Sequence, residues 1–272
     1  MQRITDGLRK EGKTIGFVAT MGSIHKGHLS LVDISNSSAD ITVVSIFVNP
    51  TQFGTGEDYR DYPRDIKRDK DLLRRRGCSI LFYPDVDSMY KKDFKTDVYV
   101  NGLSQQLCGI TRKTHFKAVT TVVSKLFNIV KPNYAVFGQK DAQQAIIIRR
   151  MVNDLNYDIK IMVGPTVRER DGLAISSRNV YLTEAEREDA TVIYHSLKQA
   201  ALMIKNGERK SSLILQRMKS MISSKKGAKV DYIEVVETTE LKPVSEIVGE
   251  VLIAVACYFG KARLIDNIIV KV

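Results

Sequence analysis

The sequence predicts an α/β fold, in which a doubly wound parallel sheet is followed by a second, smaller α+β domain. In the first 165 residues, short runs rich in β-branched residues alternate with segments of helical periodicity. That alternation is typical of a parallel sheet flanked by helices. Helical segments and then consecutive strand-like runs follow, which favours antiparallel pairing. We therefore expect a nucleotide-binding domain over 1–166 and a smaller C-terminal domain over 167–272.

Five strand-like runs in the first part are apolar on consecutive positions, which indicates strands buried on both faces of a sheet. They are TIGFVAT (14–20), ITVVSIFV (41–48), SILFY (79–83), YAVFG (134–138) and IKIMVG (159–164). Between them, the apolar spacing within 64–77 and 118–130 predicts helices. The pattern is that of a Rossmann-like domain, whose ligands bind at the carboxyl ends of the strands.

The second part begins with a helix-start signal. Thr183 and Glu186 have the spacing of a capping box, so a helix is predicted to begin there, and a second helix fits 210–222. Three strands are predicted to follow, at VDYIEVVE (230–237), EVLIAVACYF (250–259) and RLIDNIIVKV (263–272).

Composition narrows the class of protein. The chain of 272 residues is 43% hydrophobic and 27% charged, as is usual for soluble domains. No apolar run approaches the ~20 residues of a membrane span, and the first residues lack the apolar segment of a signal peptide. Three scattered cysteines favour neither a disulfide framework nor a zinc site, and they suit a reducing compartment. We expect a cytoplasmic protein with no membrane partner.

The formal net charge of +11 is compatible with nucleic acid, an acidic membrane surface or phosphate-bearing substrates as partners. The basic clusters at 71–77 and 223–229 are short, and neither is interleaved with aromatic residues. Solvated helix faces and loop ends are the simpler explanation. An RNA-binding module stays an alternative, which strongly salt-dependent RNA affinity would favour.

The stretch ATMGSIHKGH (19–28) holds two of the four histidines. With a helix predicted to begin around Gly27, His25 and His28 lie near its amino end on one face. Free backbone N–H groups and the helix dipole make that end an anion site. Gly22 and Gly27 have no Cβ atom, so a phosphate can approach the backbone there closely. Phosphate binding, a structural role and metal binding are all open, although no further metal ligands follow nearby.

Two more stretches leave strands at the same predicted edge. The segment 47–65 carries Gln52, whose amide offers a donor and an acceptor to a hydroxyacid ligand. The segment 136–144 carries Lys140, a point charge for phosphates, and Gln144 one helical turn later. An exposed turn glutamine and an ordinary strand-to-helix joint are the alternative interpretations.

A fourth stretch, VRERDGLAISSRNVYLT (167–183), lies where the two predicted domains join. Ser176, Ser177 and Arg178 follow a turn that contains glycine, and their hydroxyl and guanidinium groups suit a mobile phosphate clamp. A solvated linker is the alternative.

In order and spacing, these stretches resemble the pantothenate synthetase family. TMGSIHKGH resembles that family's form of the His-x-Gly-His signature, which class I aminoacyl-tRNA synthetases and other nucleotidylyltransferases share. FVNPTQF, FGQKDAQQ, DGLAISSRN and the late FGKARLIDN (259–267) match as well, so the resemblance covers nearly the whole chain.

The resemblance implies a two-step ligase reaction. Pantoate attacks the α-phosphorus of ATP to give an enzyme-bound pantoyl adenylate and pyrophosphate, and the amine of β-alanine then releases pantothenate and AMP. It also implies Mg²⁺ carried by the ATP phosphates, small-molecule substrates without nucleic acid, and a homodimer. A nucleotidylyltransferase that keeps its adenylylated product is the alternative within the superfamily, and it would release a dinucleotide.

The resemblance also implies the site residues. The catalytic set is His25, His28, Lys140, Ser176, Ser177 and Arg178. The ATP-binding set is Met21, Gly22, Ser23, Ile24, His25, Lys26, Gly27, His28, Gly138, Gln139, Lys140, Asp141, Val167, Ile175, Ser176, Ser177 and Arg178. Gln52 and Gln144 would hold pantoate, and Gln52 would also border β-alanine. The family gives His28 a proton-donor role, whereas we expect it mainly to stabilise charge on phosphate.

Two departures from the family pattern bear on these assignments. Ala19 stands where the family usually has proline before Thr-Met-Gly, and Lys113-Thr114 stands where Pro-Gly is common. Because of the second departure, Arg112 and His115 are left out of the predicted site.

Overall fold

Residues 1–272 are described by a computed structural model, in which the chain forms two compact units. The first unit consists of Met1–Gln105, Gly109–Gln139 and Gln144–Pro165. The second consists of Gln106–Cys108, Lys140–Gln143 and Thr166–Val272. Each unit therefore contains more than one stretch of the chain, and the domain boundary after residue 166 stays a prediction.

Five parallel strands form the sheet of the first unit, in the order β3-β2-β1-β4-β5. They are β1 (Ile15–Thr20), β2 (Ile41–Ile46), β3 (Ile80–Phe82), β4 (Tyr134–Gly138) and β5 (Lys160–Gly164). All five coincide with the predicted runs, so the predicted α/β class is confirmed. From β1 the chain adds strands first towards one edge of the sheet, as β2 and β3, and then towards the other edge, as β4 and β5. In sheets of this kind, ligands bind at the point between β1 and β4 where this order reverses.

Seven helices accompany these strands along the chain. They are α1 (Gln2–Lys10), α2 (Lys26–Ser38), α3 (Ile66–Arg75), α4 (Val86–Met89), α5 (Cys108–Thr111), α6 (His115–Val130) and α7 (Ala142–Asp154). The two helices predicted from periodicity are α3 and α6. Helix α2 packs on the sheet, because Leu31 and Val32 join Val18 and Val44 in one buried apolar cluster. This packing fixes the amino end of α2 beside the carboxyl end of β1.

Three further helices and an antiparallel sheet form the second unit. They are α8 (Glu184–Asp189), α9 (Val192–Lys205), α10 (Ser211–Ser223), β6 (Ala228–Glu237), β7 (Glu250–Phe259) and β8 (Ala262–Lys271). The sheet order is β6-β7-β8, and both strand pairs are antiparallel, as predicted from the consecutive strand-like runs. Apolar residues of α9, α10 and all three strands share one core, which includes Leu197, Met218 and Val255.

The helix predicted to begin at Thr183 does begin there, with both hydrogen bonds of the capping box formed. It ends at Asp189, and α9 begins at Val192 after a tight step. At that step the Thr191 N–H and hydroxyl both donate to the carbonyl of Glu188, three residues earlier, in place of a continuous α-helical ladder. No helix in the chain has both the length and the apolar character needed to span a membrane.

Candidate active site

The two histidines of the opening stretch meet ring to ring at the start of α2. His25 is the N-cap residue of that helix, and its imidazole stacks on the imidazole of His28 with 3.9 Å between ring centroids and 18° between planes. A Cβ atom on Gly27 would lie 3.0 Å from two atoms of the His25 ring, so glycine leaves room for the stack. Both imidazoles and the first N–H groups of α2 thus occupy the same helix end.

The turn that leads from β1 into α2 adopts backbone conformations with positive φ. Gly22 has φ +86° and Ser23 has φ +51°, and Ser23 is one of few non-glycine residues in that region. The hydroxyl of Thr20 donates to the Ser45 carbonyl at 2.8 Å and accepts from the Gly22 N–H at 3.2 Å. The loop that contains Met21 is therefore tied to the end of β2.

A buried carboxylate that sequence analysis missed holds the next part of this turn. Asp69 of α3 is 2% exposed and accepts a hydrogen bond from the Ile24 N–H at 2.8 Å. Burial raises the pKa of Asp69, although the N–H groups of Ile24 and Ser23 favour its charged form. A signal existed, since Asp69 precedes Leu72 and Leu73 at helical spacing and therefore lies on the apolar face of α3.

Gln52 lies at the end of a short 3₁₀ turn that follows β2. Its backbone carbonyl lies 3.1 Å from the His115 Nδ1 and accepts from the Arg112 Nη2 at 3.3 Å. Arg112 also forms two hydrogen bonds of 2.6 Å with the carboxylate of Glu57. Burial alone would raise the pKa of Glu57, but the Arg112 guanidinium holds it below its ordinary value. Arg112 and His115, which the sequence analysis left out, thus contact a predicted site residue.

The third strand-end turn with predicted site residues follows β4. Gly138 ends that strand, Gln139 begins a 3₁₀ turn, and Gln144 lies in the first turn of α7. The strands β2, β1 and β4 are neighbours in the sheet. Because parallel strands end at the same edge, the structure brings the turn after β1, the Gln52 turn and the Gly138 turn to one edge.

In the second unit, two residues that are predicted to bind the nucleotide line one small cavity. Lys140, Ser176, Asn179 and Asp266 line it, together with apolar residues that include Leu173. The Lys140 side chain is 21% exposed, and its ammonium lies 3.7 Å from the Asp141 carboxylate. The lining therefore combines the Lys140 ammonium and the Ser176 hydroxyl, which can bind phosphate oxygens, with the Asp266 carboxylate.

The Ser-Ser-Arg stretch forms a 3₁₀ turn rather than an extended linker. Ser176 is the N-cap of the turn Ser177–Tyr181, and its hydroxyl accepts from the Arg178 N–H at 3.3 Å. The Ile175 N–H donates to the Val167 carbonyl at 3.0 Å, which places these two predicted adenosine contacts side by side. No group of three or more His, Cys, Asp or Glu side chains in the chain has an arrangement that could hold a metal ion.

Comparison with known proteins places this geometry in a family. The model of a family described as pantoate-beta-alanine ligase matches residues 1–269. The chain belongs to the pantoate–β-alanine ligase family. The family predicted from the five ordered stretches is thereby confirmed.

Individual relatives agree with the family match over almost the whole chain. The pantothenate synthetase of Caldicellulosiruptor bescii is 54% identical over 271 residues, which is 100% of this chain and 96% of that protein. The pantothenate synthetase of Thermotoga neapolitana is 52% identical over 269 residues, 99% of this chain and 96% of that protein.

Solved structures of pantoate–β-alanine ligases share the fold. The pantothenate synthetase of Thermus thermophilus superposes with a TM-score of 0.92 at 42% identity, covering 97% of this chain and 96% of that one. The pantoate-beta-alanine ligase of Francisella tularensis, complexed with beta-gamma ATP and beta-alanine, has a TM-score of 0.81 at 35% identity and covers 98% and 93% of the two chains.

Proposed function

We propose that this chain joins pantoate to β-alanine at the expense of ATP, through an enzyme-bound pantoyl adenylate. The observation that carries the proposal is the stacked His25–His28 pair at the amino end of α2, at the sheet edge where β1, β2 and β4 end. Donors and a helix dipole at such an edge suit a nucleotide whose phosphate gains charge during reaction. The family match supports the same reaction.

In the first step, the pantoate carboxylate attacks the α-phosphorus, the bond to the bridging oxygen breaks and pyrophosphate leaves. His25 and His28 donate to phosphate oxygens, so that His28 mainly stabilises charge that develops in the transition state. Gln52 and Gln144 hold pantoate by its hydroxyl and carboxylate groups. Orientation of the two reactants supplies much of the remaining acceleration.

The other proposed ATP contacts follow the same chemistry. Lys140 neutralises phosphate charge, and Ser176, Ser177 and Arg178 donate to phosphate oxygens. Asp141 accepts from the ribose, while Val167 and Ile175 line the adenine. The remaining proposed contacts are backbone segments that a nucleotide approaches closely, namely Met21, Gly22, Ser23, Ile24, Lys26, Gly27, Gly138 and Gln139.

In the second step, the amine of β-alanine attacks the acyl carbon beside Gln52, the bond to the phosphate oxygen breaks, AMP leaves and the nitrogen loses a proton. We further infer that Mg²⁺ arrives as part of the ATP complex, because phosphate oxygens are its preferred ligands. Three free cysteines support a reducing, cytoplasmic setting. A homodimer is inferred from the family resemblance.

The test is AMP release from ATP with pantoate alone, with β-alanine alone and with both, in the wild type, His28→Ala and His195→Ala. His195 is exposed on α9 and serves as the matched histidine control. We expect AMP only when both co-substrates are present, and a loss of at least ~100-fold in His28→Ala alone. Absence of turnover dependent on pantoate in the wild type would overturn the function, and full activity of His28→Ala would overturn its role.

A further inference from the structure

Two buried polar residues in the middle of β8 have no part in the reaction as proposed. Asp266 is 3% exposed and Asn267 is 5% exposed, and both belong to the late RLIDN stretch of the sequence. Buried polar side chains cost free energy unless they are hydrogen-bonded. The partners of these two side chains therefore indicate why a strand would carry them.

Asn267 is bonded to the residue that carries the proposed phosphate charge. Its side-chain Nδ2 donates to the backbone carbonyl of Lys140 at 2.9 Å, across 127 residues of sequence. An amide that holds the Lys140 backbone restricts where the lysine side chain can begin. The ammonium group itself pairs with the Asp141 carboxylate at 3.7 Å.

Asp266 is bonded to the segment that leads into the Ser-Ser-Arg turn. Its carboxylate forms a two-point ion pair with Arg168, through the Nη1 on one oxygen and the Nη2 on the other, the latter at 2.9 Å. The Oδ1 also accepts from the Asn267 N–H at 2.8 Å, which joins the two neighbours. A planar guanidinium held at two points has a fixed orientation.

Arg168 also contacts the residues that lead into the Ser176 turn. Its Nη1 donates to the Gly172 carbonyl at 3.1 Å, and its guanidinium carbon lies 4.2 Å from the centre of the Tyr194 ring. Gly172 has φ +96°, and a Cβ there would lie 1.9 Å from the Tyr194 ring. The turn is therefore held by backbone conformation, ring contact and ion pair together. Arg168 also forms a β-bridge with Ala174, two residues before Ser176.

We propose that Asp266 and Asn267 are positioning residues that set Lys140 and the Ser176 turn at a fixed separation for binding ATP phosphates. Lys140, Ser176 and Asp266 line the same cavity, as this role requires. The inference rests on the proposed function, in which Lys140 and Ser176 contact the nucleotide. Neither Asp266 nor Asn267 has to touch ATP.

The second unit contains a matched control. Asp231 on β6 pairs with Arg263 on β8 at 2.6 Å, and the two side chains are 9% and 15% exposed. This pair resembles Asp266–Arg168 in chemistry and burial, but it connects two strands of the same sheet. Asp231→Asn should therefore lower stability as Asp266→Asn does, and leave ATP binding unchanged.

The experiment compares Asp266→Asn, Asn267→Ala and Arg168→Lys with Asp231→Asn, and measures the melting temperature, kcat and the KM values for ATP and pantoate. A positioning role predicts that the KM for ATP rises about tenfold or more in the first three. It also predicts that the KM for pantoate changes less than twofold. Equal KM values for ATP in all four variants, at equal loss of stability, would overturn the proposal.

Calorimetric titration with a non-hydrolysable ATP analogue separates this inference from the proposed function. If the wild type binds the analogue but shows no turnover with pantoate, the proposed function fails, and weaker binding in Asn267→Ala still supports positioning. Arg168→Lys keeps the charge, so it serves where Asp266→Asn does not fold. Unchanged analogue affinity in Arg168→Lys and Asn267→Ala would contradict the positioning role.

Discussion

At the scale of single residues, the absence of a side chain at Gly27 leaves room for the stacked imidazoles of His25 and His28. The His25 ring folds back over the position where any other residue would place its Cβ, at 3.0 Å. That separation is shorter than an ordinary carbon–carbon contact, so a side chain there must displace the ring. The glycine is therefore required by the imidazole stack as well as by the approach of a phosphate.

Gly27→Ala should lower kcat/KM for ATP about tenfold, because it shifts the His25 ring by a few tenths of an ångström or more out of the stack. Any loss of stability should be small, since the preference of helices for alanine over glycine, roughly 0.5–1 kcal/mol, offsets part of the cost of moving the ring. Steady-state kinetics and thermal melts of the variant check both expectations.

Gly7→Ala is the matched control for this substitution. Gly7 lies within α1, and a Cβ there would meet nothing within 4 Å. This variant should melt at a temperature equal to or above that of the wild type and keep full activity. If Gly27→Ala is as active as Gly7→Ala, the glycine is not needed to place His25.

The sequence predicted the residues of each strand-end turn better than it predicted what holds them. His25, His28 and Gln52 stand out because glycine, proline and histidine mark their turns. Asp69 shows only its place on the apolar face of α3, because its partner Ile24 lies 45 residues away along the chain. Arg112 is left out of the predicted site because Lys113-Thr114 departs from the family pattern, and its partner Glu57 lies 55 residues away. A contact over such a separation leaves no periodic pattern in the sequence.

At the scale of elements, an ion pair between Glu57 and Arg112 helps to hold the segment after Gln52, together with the Arg64 guanidinium, which donates to the carbonyls of Tyr59 and Tyr62. Glu57 and Arg112 share two hydrogen bonds of 2.6 Å, and no more than 28% of either side chain is exposed. The pKa of Glu57 is lowered in the folded protein. The stabilising free energy from the Glu57 carboxylate is therefore complete at pH values above the ordinary pKa of glutamate. It is lost as the pH falls through the lowered pKa of Glu57 in the folded protein.

Glu57→Gln should therefore speed hydrogen exchange in residues 54–62 several-fold at neutral pH, because the amide forms weaker bonds with Arg112. The difference from the wild type should shrink in acid, where Glu57 of the wild type also becomes neutral. Exchange measured by mass spectrometry over a pH series checks this. A difference that is the same at every pH would show that charge does not fasten the segment.

Element positions followed closely from sequence where apolar periodicity was strong. All five strands of the parallel sheet and the three of the antiparallel sheet lie within a few residues of the predicted runs. The interruption between α8 and α9 was not predicted, because no glycine or proline marks it in the sequence. Ala190 and Thr191 also keep helical dihedral angles in the structure. The Thr191 hydroxyl donates to the Glu188 carbonyl at that step, an interaction that helix propensities do not predict.

At the scale of the whole molecule, the second unit is not one continuous stretch. Lys140–Gln143 and Gln106–Cys108 belong to it, although α7 from Gln144 onward belongs to the first unit. The side chain of Gln143 donates to the Gln106 carbonyl at 2.7 Å and accepts from the Cys108 N–H at 3.1 Å. A single cut after Pro165 therefore removes parts of the second unit.

A fragment of residues 166–272 should be less stable than the same region within the full chain. Without Lys140, the buried Asn267 amide loses an acceptor, which costs about 1–3 kcal/mol. Urea unfolding of both proteins, each with and without Asn267→Ala, tests this. The substitution should destabilise the full chain by more than it destabilises the fragment. Equal effects in both would mean that the Lys140 bond contributes nothing to stability.

The hydrogen bond between Asn267 and Lys140 also has a consequence for the time course of synthesis. The two residues are separated by 127 positions, so at about 5–20 residues per second a ribosome makes the second roughly 6–25 s after the first. Throughout that interval the nascent chain carries Lys140 without its anchor. The proposed phosphate contacts thus mature only when β8 has been translated, and a growing chain should hold no competent ATP site while it is being made.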